Sequence, residues 1–184
     1  MLFYWRMRSS LADKKNVVPD FIDFEFTIDT KTGLLKQNIN GDIERYLETI
    51  YKENFNVGYL QEGHALAEGY GNDFTNFIKK AVSKYNPNIS SILEIGAGGC
   101  YLLSRLKADG FCVTAIDPSP VAKEAADKLD INILQEFYPS SSSDKFDLII
   151  HYDVLEHIEN PWEFLRQHAK DLCEDGLVIF AVPD

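Results

Sequence analysis

Cysteine is scarce in this chain: Cys100, Cys112 and Cys173 are the three thiols among 184 residues. An odd number at spacings of 12 and 61 fits neither a disulfide framework nor a zinc-ligand pattern, so no metal site and a reducing, cytoplasmic setting are expected. Positive charge is also short, with 18 Lys and Arg against 29 Asp and Glu and a formal net charge of −11. The deficit is uneven: residues 1–90 carry 11 basic and 12 acidic side chains, and residues 91–184 carry 7 and 17. Without a basic stripe, the phosphate attraction that dominates nucleic-acid binding is missing, and an anionic bilayer repels the chain. Neither partner is expected. Long apolar runs are absent too, and the opening MLFYWRMR is broken at once by Arg6 and Arg8, so no signal peptide or spanning helix is read. What is present is ordinary globular composition, 45% hydrophobic and 26% charged, in a length that fits one domain with a small appendage.

Residues 1–20 carry no sustained period and end at Val18-Pro19, which predicts a loosely ordered arm. From Phe21 the chain alternates strictly, with Ile22, Phe24, Phe26 and Ile28 on one face and Asp23, Glu25 and Thr27 on the other, the pattern of a half-buried strand. The DTKTG run, 29–33, supplies turn chemistry, and LLKQNI returns as a partner strand. Helical periodicity follows at Ile43, Tyr46, Leu47, Ile50 and Tyr51, and again at Phe74, Phe77, Ile78, Ala81, Val82 and Tyr85. Between them lies GYLQEGHALAEGYG, a long glycine- and tyrosine-rich connection of the kind that often serves as a lid. His64 and Tyr70 within it are read as solvated or packing residues. After Asn86-Pro87 strands and helices alternate: strands at 91–95, 111–116, 131–134, 146–150 and 177–182, with helices at 101–108, from Pro120 behind the cap Ser119, and from Asn160-Pro161 to near Gly176. That alternation specifies a parallel, doubly wound sheet with right-handed crossovers. The expected division is an arm over 1–20, a hairpin with a helical cap or lid over 21–88, and a Rossmann-like α/β domain over 89–184.

The chemistry concentrates at the strand ends. Glu94 closes the first strand, and Gly96, Ala97, Gly98, Gly99 and Cys100 run into a helix, the turn at which a doubly wound sheet receives a nucleotide-like ligand. Asp117 ends the next strand 19 residues beyond Gly98, the spacing at which a carboxylate meets ribose hydroxyls. Together these point to an adenosine-type ligand. A dinucleotide fingerprint needs Gly or Ala at its sixth position, whereas that place, counted from Gly96, holds Tyr101, and no lysine follows the loop as in an ATP-binding P-loop. Glu94, Asp117 and Glu136 at successive strand ends repel phosphates but tolerate an ammonium or a sulfonium; S-adenosylmethionine has both.

ILEIGAGG at 92–99, AIDPSP at 115–120, FDLIIHYDVLEHIENP at 146–161 and GLVIFAVPD at 176–184 resemble, in order and spacing, the successive motifs of class I S-adenosylmethionine-dependent methyltransferases, particularly the small-molecule group with a V-L-E-H segment. The resemblance implies a Rossmann-like sheet of order 3-2-1-4-5 and methyl transfer to a small-molecule acceptor. It implies further that Glu94 lies near the methionine amino group, with Gly96, Ala97 and Gly98 lining the methionine portion. Asp117 would hold the ribose, Pro118 and Ser119 would lie beside the adenine, and Glu136 and Phe137 would meet its edge and face. His151 and Tyr152 would end against the amino group, and Glu156 and His157 match the V-L-E-H pair. His157 or His151 is the candidate base. Cys100 departs from a frequent third glycine of the loop. The TGLLKQN segment, 32–38, is similar to the region before the catalytic domain in sugar methyltransferases with an N-terminal zinc ribbon, although Thr32 stands where a zinc cysteine would; a sugar or polysaccharide precursor is thus one acceptor the resemblance suggests.

Several of these residues carry a plainer reading alongside. Asp117 could cap a helix, His157 and Glu156 could be structural, and His168 is expected at the surface. The resemblance implies two further strands, 6 and 7, beyond Asp184, so a truncated product with an exposed edge open to homodimer formation is expected. A cofactor-binding or interaction module without turnover is the rival from another class, and an NAD-dependent oxidoreductase a second, disfavoured by Tyr101.

Overall fold

In the computed structural model, which describes residues 2–8, 18–53 and 67–183, the first element is a strand, β1 (Leu2–Arg8). It replaces, over that stretch, the loose arm expected for residues 1–20. It runs antiparallel to residues 21–27 of β2 (Phe21–Ile28), with Arg6 opposite Asp23 and bound to both its carboxylate oxygens at 2.5 and 2.6 Å. This pair is exposed and marks the register rather than supplying stability. A tight turn closed by the Gly33 N–H donating to the Asp29 carbonyl (2.7 Å) returns the chain as β3 (Leu35–Asn38), completing the expected hairpin and a sheet of order β1-β2-β3. Helix α1 (Gly41–Glu53) begins where the Asn40 side chain accepts from the N–H groups of Asp42 (3.1 Å) and Ile43 (3.0 Å), and Ile43 joins Val18 and Ile22 in a small apolar cluster.

The chain falls into two compact units, Met1–Asn54 and Phe55–Asp184, a division that differs from the boundaries read at 20 and 88. The reason is helix α2 (Asn72–Tyr85), entered through a π-helical turn at Ala67–Gly71. Its apolar stripe of Phe74, Ile78 and Val82 is buried in one core with Ile92, Leu102 and Leu106, so it belongs to the α/β unit.

That unit contains β4 (Ser91–Ile95), α3 (Tyr101–Ala108), β5 (Cys112–Ile116), α4 (Pro120–Leu129), β6 (Asn132–Leu134), β7 (Phe146–Tyr152), α5 (Pro161–Asp171) and β8 (Leu172–Ala181). All five strands are parallel, in the order β6-β5-β4-β7-β8, which is 3-2-1-4-5 counted within the unit. The caps read from sequence are present: Ser119 Oγ accepts from the Ala122 N–H at 3.2 Å, and Asn160 Oδ1 from the Glu163 N–H at 3.2 Å. The last helix and strand are displaced from expectation. Helix α5 stops at Asp171, and β8 begins pairing at Leu172 opposite Phe146; the register then jumps to Leu177 opposite Leu148, so Cys173–Gly176 form a bulge instead of the helix's last turn.

Strand alternation sorts the two faces. Ile92, Leu148 and Ile150 face α2, α3 and α4, whereas Leu93, Ile95 and Ile149 face α5 through Phe164. Among the described residues no helix is long and apolar enough to cross a membrane.

Candidate functional site

Glu94 stands one residue before the end of β4, on the same face as Ile92, and is only 3% exposed. Its carboxylate accepts a hydrogen bond from the Leu103 N–H in the first turn of α3, while Oε2 has no partner. Burial above all, and then the Asp117 carboxylate, pushes the Glu94 acid well above the ordinary carboxylate range, and the Leu103 bond only partly opposes this. A buried carboxyl oxygen without a donor is a strong unmet demand for a cationic or hydrogen-bonding partner.

The loop after β4 is braced by backbone bonds. The Gly96 N–H donates to the Ile116 carbonyl at 2.8 Å, joining the ends of β4 and β5. Gly96 takes φ of +73°, and a Cβ there would lie 2.6 Å from Val154 Cγ2, so both conformation and space require glycine. Asp117 holds the other side: its Oδ2 accepts from the Gly98 N–H at 2.9 Å and its Oδ1 from the Ser119 N–H at 2.8 Å. Ala97 and Ser119 are buried, with Pro118 half-buried between Asp117 and the cap. Cys100 takes the left-handed φ of 56°, the conformation that explains why glycine is common there, and burial together with Glu94 and Asp117 pushes its thiol up to about 12. The loop thus lies in a negative field.

Glu136 and Phe137 follow β6, which is tied to the Asp117 turn by the Asp117 N–H bond to the Leu134 carbonyl at 3.2 Å. Glu136 Oε1 accepts from the Ser141 N–H (2.8 Å) and hydroxyl (3.0 Å), so the serine run anchors it; the Phe137 ring is 39% exposed.

His151 and Tyr152 do not act together. Alternation along β7 sends Tyr152 to the Glu94 face, where its ring meets Phe74 edge-on at 5.2 Å, and sends His151 to the opposite, α5 face. His151 is fully buried, stacked on Phe180 at 4.9 Å and edge-on to Phe164 and His168, each at 5.4 Å, and neither ring nitrogen has a partner. The base role suggested for it is therefore corrected: no atom of the ring reaches the Glu94 face or solvent. Burial, then His168, lowers it to about 4. His168, expected at the surface, is only 1% exposed, with Nδ1 2.7 Å from the Phe164 carbonyl. The two buried neighbours of His151, Ile149 and Ile150, already indicate a strand buried on both faces.

His157 closes a short 3-10 turn, Leu155–His157, its side chain 60% exposed and Nε2 3.9 Å from Glu156 Oε1. Asp153 just before it takes the left-handed φ of 53°, and burial, then Glu156, raises its acid. His64 lies outside the described residues, and Tyr70 is 60% exposed. The residues that sequence reasoning overlooked are Gly71 and Asn72, which meet Tyr101: a Cβ on Gly71 would lie 2.5 Å from the Tyr101 ring, and the Tyr101 hydroxyl donates to Asn72 Oδ1 at 2.9 Å. Only the GYG before the helix hinted at a close approach.

A family model described as the methyltransferase domain matches residues 66–184. Among curated proteins, the ubiquinone biosynthesis O-methyltransferase of Rickettsia akari is 35% identical over 115 residues, covering 56% of this chain and 45% of that protein. The protein of the same description from Caulobacter sp. is 36% identical over 99 residues, covering 49% and 39%. The chain spans about half the length of the curated relatives it matches. Among solved structures, an S-adenosylmethionine-dependent methyltransferase from Clostridium acetobutylicum shares the fold at 20% identity and a TM-score of 0.58, covering 64% of this chain and 52% of that one. The plantazolicin methyltransferase BpumL, solved with a triazolic desmethylPZN analog and SAH, is 25% identical with a TM-score of 0.54, covering 62% and 48%. With this match and the strand-end site, the chain belongs to the methyltransferase domain family.

Proposed function

We propose that this chain binds S-adenosylmethionine at the C-terminal edge of its parallel sheet and methylates a small-molecule acceptor. The observation that carries the reading is the buried Glu94 carboxyl with Oε2 unpartnered beside the N-terminus of α3. An ammonium supplies both the donor and the positive charge this position lacks. The fit extends to Asp117, whose two oxygens each accept one N–H and, with about four lone-pair sites on a carboxylate, keep capacity for two ribose hydroxyls. Glu136, anchored by Ser141, offers an edge acceptor for an adenine, with Phe137, 39% exposed, next to it in the chain. SAH in the BpumL structure supports the same cofactor class.

When bound, the cofactor supplies an activated methyl group on a sulfonium. The chain's own part is to hold and orient: the braced loop at Gly96–Gly98 fixes the methionine end, Asp117 the ribose, and Tyr152 borders the reacting side. Positioning of this kind is the main source of rate when the electrophile is already activated. If the acceptor is a hydroxyl, a base takes its proton, and His157 is the exposed group for that step after β7. The curated relatives carry the description O-methyltransferase, which favours a hydroxyl acceptor, a group that the sugar suggested by residues 32–38 also offers.

Calorimetric titration of the 184-residue chain with SAH, beside NADH and an Asp117→Ala control, tests the cofactor. Micromolar SAH binding that the control loses, with none for NADH, supports the proposal. Failure of a folded chain to bind SAH overturns it. Binding with no methyl transfer to any hydroxyl acceptor would instead favour the non-catalytic module.

A further inference from the structure

Tyr101 occupies the first position of α3, directly after the glycine loop, and is buried to 1% exposure. In the sequence it counted only against a dinucleotide; in the fold its ring and hydroxyl both face the Ala67–Gly71 turn. Gly71 has ordinary helical dihedrals, φ −66° and ψ −39°, so no backbone constraint demands glycine there. What demands it is the ring: a Cβ would stand 2.5 and 2.6 Å from two Tyr101 carbons, and a fully buried ring cannot step aside. The hydroxyl donates to Asn72 at 2.9 Å and accepts from Arg105 at 3.3 Å, and the Arg105 guanidinium lies 4.9 Å from the ring centre. Thr75 fixes the same turn from within α2, its hydroxyl donating to the Gly71 carbonyl at 2.7 Å.

The turn carries Tyr70 and leads directly into α2, whose Phe74 ring meets Tyr152 edge-on at 5.2 Å. Tyr152 is on the Glu94 face of the sheet. Tyr101 thus ties the turn to the glycine-loop helix, and Phe74 ties the helix that follows the turn to the end of β7.

We propose that Tyr101 is a positioning residue that locks the Ala67–Gly71 turn, with the Tyr70 phenol, across the site bounded by Glu94, Asp117 and Tyr152, so that a bound cofactor is held under it. The covering role rests on the cofactor reading above; the lock itself does not. A merely structural Tyr101 packs α2 on α3 and changes stability without changing ligand residence.

The test uses Tyr101→Phe and Asn72→Ala in the 184-residue chain, with hydrogen exchange over 67–72 in the free protein and SAH dissociation as separate readouts. Tyr101→Phe keeps the ring and removes the hydroxyl with its bonds to Asn72 and Arg105, so the expected result is roughly fivefold faster exchange in the turn and about fivefold weaker SAH binding, with exchange in β4 and β5 unchanged. Asn72→Ala reproduces both effects, and the double variant adds little to either single one. Gly71→Ala, whose Cβ must push the turn away from the ring, weakens SAH binding in the same direction. Unchanged exchange in Tyr101→Phe overturns the lock. Faster exchange with unchanged SAH dissociation overturns the covering role, leaving a packing contact. A wild-type chain that binds no SAH overturns the covering role and the cofactor reading together, while the exchange data still decide the lock.

Discussion

At the residue scale, Glu94 and His151 are buried ionisable groups that favour their uncharged forms, and each has its own pH signature. Glu94 is raised above its unfolded-state value, so the folded chain holds that proton more tightly; its contribution is complete below the unfolded value of about 4.3 and is lost as pH rises through the folded one. Glu94→Gln keeps an acceptor for the Leu103 N–H and removes the charge. Denaturant unfolding at pH 7.5 should show the variant more stable by on the order of 1 kcal/mol, with the gain vanishing below pH 4, while SAH affinity falls about tenfold or more. A variant less stable at both pH values would contradict the account of Glu94. His151 runs the other way: at about 4 against 6.5, its stabilisation is complete above pH 6.5 and lost as pH falls towards 4. One pKa unit is worth about 1.4 kcal/mol, so about 3 kcal/mol depends on this ring remaining neutral, and the lowered value of His168 adds in the same direction. His151→Leu should flatten the acid limb of the stability curve between pH 6.5 and 4; an unaltered slope would show that the ring does not titrate there.

At the element scale, the site depends on how strands end and helices begin. Ser119 caps α4 through its hydroxyl and braces Asp117 through its N–H. Ser119→Ala removes only the cap, so thermal unfolding should report a loss of about 1 kcal/mol while SAH affinity stays within about twofold. Gly96→Ala is expected to act differently, because a side chain there must both accept φ of +73° and push against Val154. It should cost about 1–3 kcal/mol and abolish SAH binding. Adding Val154→Ala relieves the steric part alone, so calorimetry of the double variant should recover some stability and little binding; full recovery would assign the glycine to space rather than conformation. The bulge at Cys173–Gly176 shows the limit of pattern at this scale. An amphipathic stretch followed by glycine reads as a longer helix, and only pairing of Leu172 with Phe146 across the sheet ends α5 early.

At the scale of the whole molecule, the boundary at Asn54 and Phe55 predicts that residues 55–184 fold without the N-terminal sheet. A chain beginning at residue 55 should unfold cooperatively and bind SAH within about threefold of the 184-residue chain; a collapsed or non-binding product would show that the first unit completes the second. Much of the α/β unit was legible beforehand. Parallel strands buried on both faces read as apolar runs, and Ser119-Pro120 and Asn160-Pro161 mark helix starts, because these signals arise from neighbours in the chain. Glu94, the glycine loop and Asp117 were legible for the same reason: strand-end carboxylates and glycines keep fixed spacings along it. The strand at Leu2–Arg8 was not, since its seven residues acquire a period only when Phe21–Ile28 lies beside them. The sequence by itself therefore determined the order of elements within the α/β unit, the parallel sheet and the acidic strand-end motif. Tertiary structure alone decided which face of β7 receives His151 and which receives Tyr152, and that Tyr101 meets Gly71 thirty residues away. Facing and long-range contact follow from which elements pack together, and no local spacing encodes that.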